Sequence, residues 1–243
     1  MMTSLRALSL AICLIGLAAV SIPQSQRAVA ALQTYAKRLA DSSTLNIAGT
    51  MQVIGKAPND MSLVLKKPGF LRFDTPDRQV IADGTSIYFL SRGKNTYYKL
   101  KQTRLSLLDL ANNPEFVAFK AFFTSKAFAK STPSFAGQKR RKGLLLDALE
   151  IALDAQANDI ITLLFDHDKP GDLRQLEWTK HLPMLDRITV FEFANVSYSE
   201  NLLDGAFTFV APAGAKEVEP PKPPVAKPSP RGSGAGPRRG RGN

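Results

Sequence analysis

KKPGFLRFDTPDRQVIADGTSIYFL, residues 66–90, is a set of short hydrophobic runs cut apart by Pro-Gly, Thr-Pro-Asp and Asp-Gly. Proline fixes its own φ and glycine reaches positive φ without steric cost, so KPG, TPDR and DGT read as tight turns. The runs between them, FLRFD (70–74), QVIAD (79–83) and SIYFLS (86–91), have the length and composition of strands. Strands this closely spaced pair antiparallel, because a parallel crossover takes a dozen or more residues. Almost nothing in the stretch is suited to catalysis.

The same grammar extends outward on both sides. LNIAGTMQVI (45–54) and MSLVLKK (61–67) precede it and TYYKLK (96–101) follows, with APND and RGKN as further turns. From Leu105 to Ala129 the period changes to that of a helix. Leu105, Leu108 and Leu110 precede an Asn-Asn-Pro break, and Phe116, Phe119 and Phe123 then recur at i, i+3 and i+7, widened by Phe122 and Phe128. A second strand series follows: DALEIALDA (147–155), DIITLLFDHD (159–168), LRQLEWTK (173–180), RITVFEFANVSY (187–198) and AFTFVAP (206–212). ALQTYAKRLA (31–40), with Leu32, Tyr35 and Leu39 at helical spacing, opens the domain. The expected fold is mainly β, of the α+β class: one curved antiparallel sheet of ten or eleven strands with helices covering its apolar side.

The two ends are of other material. Arg6, the apolar run Ala7–Val20 and the small-x-small triplet at Ala28–Ala30 form a signal-peptide pattern, so residues 1–30 are expected to be a cleaved leader, with cleavage nearer Ser21 as an alternative. The only cysteine, Cys13, lies in that leader, which leaves neither a disulfide framework nor a thiolate metal site. Residues 219–243 are rich in Pro, Gly and Arg, cannot bury a core, and are expected to be a disordered basic tail. Much of the net charge of +11 sits at these ends: seven Lys and Arg against two Glu after residue 215, with Arg6 and Arg27 in the leader. The domain expected at 31–218 is only mildly basic.

The opening stretch resembles the strand-turn-strand segment of the LolA-like family of periplasmic lipoprotein carriers. The matching residues are Lys67, Pro68, Gly69, Phe70, Leu71, Arg72 and Phe73, then Asp83, Gly84, Thr85, Ile87, Tyr88 and Phe89. Phe207, Thr208, Phe209, Pro212, Gly214 and Val218 are similar to that family's closing strand and exit. The resemblance implies an incomplete β-barrel closed by helices over an apolar cavity for acyl chains, in a monomer that needs no cofactor. On that basis the cavity candidates are Leu63, Leu65, Phe73, Phe89, Phe116, Phe119, Phe123, Leu163, Phe165, Trp178, Phe191 and Phe193, each of which would equally serve as plain core. Lys67, Pro68 and Arg72 are the lid-switch candidates. Where the carriers have arginine before the proline this chain has Lys67, which keeps the charge and loses the planar fork. Phe73 stands where tryptophan is frequent. These departures, and the basic tail, imply a divergent member.

Lipid acyl chains or lipoproteins are the expected partners, in the periplasm or outside the cell. Alternatives are an envelope sensor of the same fold that signals through a partner, and a polyanion binder acting through its tail. After export the tail would meet membrane or cell-wall polyanions rather than nucleic acid. Catalytic and metal roles find little support, since His167 and His181 are the only histidines. The acidic run DHDKPGD, with Asp166, His167, Asp168 and Asp172, reads as a polar hairpin loop with Pro-Gly at its tip.

Overall fold

The punctuation of residues 66–90 becomes three hairpin turns in the computed structural model, which describes residues 23–124, 127–128, 133–152 and 159–221. Strands β1 (Thr44–Val53), β2 (Asn59–Lys66), β3 (Phe70–Asp74), β4 (Arg78–Ala82), β5 (Ser86–Ser91) and β6 (Thr96–Lys101) form an antiparallel meander. The Asp-Gly turn shows why those residues are there. Asp83 Oδ1 accepts from the backbone N–H of Thr85 at 2.8 Å and Ser86 at 2.7 Å, while Gly84 takes φ 93°.

Helical residues then cross to the other half: α2 (Arg104–Ala111), a 3-10 turn (Val117–Phe119) and α3 (Lys120–Phe123). Thr103 starts α2 with a reciprocal capping box to Ser106, and the Asn-Asn-Pro break stops it. Strands β7 (Ser134–Arg141), β8 (Leu144–Ala152), β9 (Asp159–Asp166), β10 (Leu173–Lys180) and β11 (Arg187–Tyr198) form a second meander. It joins the first through β1–β11, so the sheet order, with the two-residue β12 (Lys216–Glu217) at one edge, is β12-β6-β5-β4-β3-β2-β1-β11-β10-β9-β8-β7. The twelve-stranded sheet stays open, as an incomplete barrel does. A bulge at Ala194 of β11, opposite Ala48 and Gly49, bends the central pair. There a Cβ on Gly49 would stand 2.0 Å from the carbonyl oxygen of Glu192, which leaves room for glycine alone.

The expected fold class is the one observed, with local corrections. Residues 206–212 are not a strand. The chain from Glu200 instead crosses the outer face of β2 to β6 as a strap, through a 3-10 turn (Asp204–Phe207), and ends as β12 (Lys216–Glu217), parallel to β6. Lys66 Nζ donates to the carbonyl of Leu202 and to Asp204, each at 2.6 Å. Phe207 packs on Phe70 with centroids 5.4 Å apart, and Phe209 stacks on Tyr88 at 4.5 Å.

Helix α1 (Gln24–Asp41) begins ahead of the boundary expected at residue 31. Ala28 is fully buried, and the Arg27 guanidinium donates to the carbonyl of His167. Residues 1–22 of the expected leader and 222–243 of the expected tail lie outside the described residues.

Candidate functional site

The alternation of each strand adds up, across the sheet, to continuous rows on the inner face. One row runs Ile47, Leu63, Phe73, Val80, Phe89, Tyr98 over β1 to β6, each residue opposite the next in register. Another runs Met51, Phe191, Leu176, Leu163, Leu149, Phe135 over β1 and β11 to β7. No charged side chain interrupts either row. The helices seat aromatic rings on them. Phe116 meets Phe73 edge-on at 5.1 Å, Phe119 meets Phe193 at 5.7 Å, and Tyr35 of α1 meets Phe165 at 5.6 Å.

Of the twelve cavity candidates, Leu63, Leu65, Phe73, Phe116, Phe119, Leu163, Phe165, Phe191 and Phe193 are buried in one apolar cluster. Phe89, Phe123 and Trp178 pack against it and stay partly exposed. The protein's own phenylalanines therefore occupy the space between sheet and helices where these rings meet. Cover runs out along the first row after Val80. Phe89 and Tyr98 stack with centroids 4.7 Å apart on the floor of an open groove of ≈ 680 Å³, with Val80 and Arg78 on one side and Val218 and Pro221 on the other. Tyr98, Val80 and the C-terminal wall were not among the sequence candidates. The alternation of TYYKLK pointed at Tyr98, but nothing local said that helices would leave it uncovered. Phe123 closes a second hollow of ≈ 560 Å³ between Pro68-Gly69 and Leu107 of α2.

The turn between β2 and β3 ties the sheet to its cover. The Lys67–Pro68 peptide is cis, and the Lys67 N–H donates to the carbonyl of Ser43 at 2.9 Å. Lys67 Nζ donates to the carbonyl of Ala40, in the last turn of α1, and stands 5.1 Å from the ring centroid of Phe122 in α3. A cation at a helix C-terminus meets unsatisfied carbonyls and the negative end of the helix dipole. One ammonium thus touches two of the covering helices, α1 and α3. Arg72 points to the other face, where it binds Asp74 at 2.6 Å and donates to the carbonyl of Ala206 at 3.1 Å, so it anchors the strap.

The acidic hairpin loop and the histidine beside it have structural partners. Asp166 Oδ1 accepts from the backbone of Asp168 at 3.0 Å, its Oδ2 from Arg174 at 3.0 Å, and Asp172 binds Arg38 of α1 at 2.6 Å. Buried Asp147 accepts from Gln138 at 2.9 Å and lies 3.0 Å from His167 Nδ1. Among the described residues no group of three or more His, Cys, Asp or Glu is placed to hold a metal ion, and no helix is long and apolar enough to cross a membrane.

No family model matches the chain. In sequence it is similar to an uncharacterized protein of Methanocaldococcus jannaschii, 23% identical over 173 residues, which are 71% of this chain and 46% of that protein. The chain thus spans about half the length of the curated relative it matches. Among solved structures it is similar to an uncharacterized conserved protein from Thermus thermophilus, with TM-score 0.47 and 9% identity over 76% of this chain and 97% of that one. It is also similar to the Mycobacterium tuberculosis lipoprotein LppX, with TM-score 0.43 and 11% identity over 73% and 98%. A LolA superfamily protein from Nitrosomonas europaea gives TM-score 0.35 and 11% identity over 75% and 97%. The open, curved antiparallel sheet with covering helices is consistent with the incomplete barrel expected from the motif at residues 67–73.

Proposed function

We propose that the protein is an exported, non-enzymatic binder of acyl chains, on free lipids or lipoproteins, that holds them on the inner face of its sheet under a movable helical cover. The observation that carries this reading is the uninterrupted apolar row from Ile47 to Tyr98, covered over β1 to β4 and open as a groove at Phe89 and Tyr98. The groove admits a chain end, and the covered part lengthens the site when Phe116, Phe119 and Phe122 withdraw. Each methylene buried contributes about 0.8 kcal/mol, so a long chain can replace ring contacts of similar size. The cover suits such an exchange. A four-residue α3 and a three-residue 3-10 turn have no stability of their own and depend on the apolar surface beneath them. Lys67, bonded to α1 and seated by Phe122, acts as the latch.

The test is uptake of a fluorescent fatty acid by the full chain. Saturable binding is expected, weakened by about tenfold or more in Phe89→Asp, which buries a carboxylate against the chain. Absence of saturable uptake would overturn the reading. Export carries its own expectation. Because Arg27 and Ala28 belong to the packed part of α1, cleavage is expected ahead of Gln24, near Ser21, and intact mass of the exported protein reads it directly.

A further inference from the structure

Two hairpin tips at the end of the sheet away from Lys67 hold apolar side chains out in solvent. The β10–β11 tip reads His-Leu-Pro-Met-Leu-Asp, residues 181–186, and in it Met184 is 99%, Leu185 79% and Leu182 44% exposed. The β1–β2 tip adds Ile54, 58% exposed. Ile54 N–H donates to the carbonyl of Ile188 at 2.9 Å, so the tips stand side by side. His181 Nδ1 and Asp186 Oδ1, 2.8 Å apart, close the base of the longer tip and leave Leu182 to Leu185 as its crown.

Below the crown Lys180 and Arg187 face each other in register, and Lys56 projects from the neighbouring tip. None of these three exposed cations makes an ion pair among the described residues. The carboxylates nearby are Asp186, held by His181, Asp159, which accepts from Trp178 Nε1 at 3.1 Å, and exposed Asp60 on β2. We propose that the two tips dock on an anionic lipid bilayer, with Ile54, Leu182, Met184 and Leu185 in the acyl boundary and Lys56, Lys180 and Arg187 at the headgroup phosphates.

Shape and charge select this occupant. The crown is convex and carries four apolar side chains, far fewer than the about 20–30 residues a side of a stable protein interface. A bilayer accepts a small convex apolar tip, and its anionic surface complements the cations at the base of that tip. The β5–β6 turn, whose Gly93 and Lys94 border the open groove, lies at the same end of the strands, so docking would turn the groove toward the membrane. That consequence rests on the acyl-binding reading; the docking itself does not, and failure of fatty-acid uptake would leave it standing.

The experiment is co-sedimentation of the full chain with phosphatidylcholine–phosphatidylglycerol vesicles and with phosphatidylcholine alone, alongside the emission of a Met184→Trp variant. Preferential, salt-sensitive binding to the anionic vesicles is expected. It should weaken about tenfold or more in Met184→Asp/Leu185→Asp and comparably in Lys180→Glu/Arg187→Glu. The tryptophan emission should shift blue on vesicle addition and be quenched by spin-labelled acyl chains. Vesicle binding that the Asp pair leaves unchanged would assign all of it to the basic tail and overturn the proposal. A blue shift without vesicles, growing with protein concentration, would overturn it in favour of self-association.

Discussion

Tyr35, on the buried face of α1, is 2% exposed, and its hydroxyl finds no hydrogen-bond partner. Burial pushes its pKa well above the ordinary 10.0, with Tyr198 adding to the shift and Arg38 opposing it. An orphaned buried hydroxyl costs stability, so Tyr35→Phe should raise the unfolding free energy by about 1 kcal/mol in urea titrations. The sign of the pH effect follows. A group whose folded pKa lies above its unfolded value contributes stability that is complete below pH 10 and lost as pH rises further, so the wild type should lose more stability than the variant above pH 10. Lys67 gives the second expectation at this scale. Lys67→Met removes a charged donor from the carbonyl of Ala40 and should cost about 1–3 kcal/mol, with faster amide exchange in α1, and Lys67→Arg should restore most of it. The sequence singled out Lys67 by its place before Pro68. Its partners were not legible, because Ala40 and Phe122 become its neighbours only once the sheet and cover are assembled.

Elements were legible where one face is apolar and the other wet. All the strands of the first meander announced themselves by alternation and turn chemistry, as did β8 to β11. Strand β7, SFAGQKRR, escaped notice because an edge strand with charged residues shows no apolar period. The strap was misread for the opposite reason. Phe207 and Phe209 alternate as in a strand, yet both rings go to the outer face of the sheet, onto Phe70 and Tyr88. The start of α1 was hidden by a leader pattern that runs into it. Ile81 and Leu90 are buried on that outer face and fall outside the main apolar cluster. Phe207, 1% exposed, is the strap's main anchor, and Phe207→Ala should cost about 3 kcal/mol. Limited proteolysis would then cut between residues 200 and 218 while the strands stay protected; equal protection of the strap in the variant would show that its backbone bonds hold it without the ring.

At the scale of the whole molecule the inner face is filled by Phe116, Phe119 and Phe122, and the proposed function requires acyl chains to take their place in a loaded state. Phe116→Ala should therefore destabilise the empty protein by about 3 kcal/mol, and by clearly less once fatty acid saturates it, because the ligand replaces the missing ring. Calorimetry with and without ligand reads the difference; an equal loss in both states would mean that Phe116 never leaves Phe73. The sheet and its cover could be read from periodicity, but whether the cover lifts could not, since a packed core and a closed ligand site share one alternation pattern. The most direct measurement is native mass spectrometry of the gently purified protein. Adducts with the mass of acylated lipid or lipoprotein, displaced by added fatty acid, are expected; reproducible detection of the bare protein alone, with no adduct after incubation with fatty acid, would contradict acyl-chain binding.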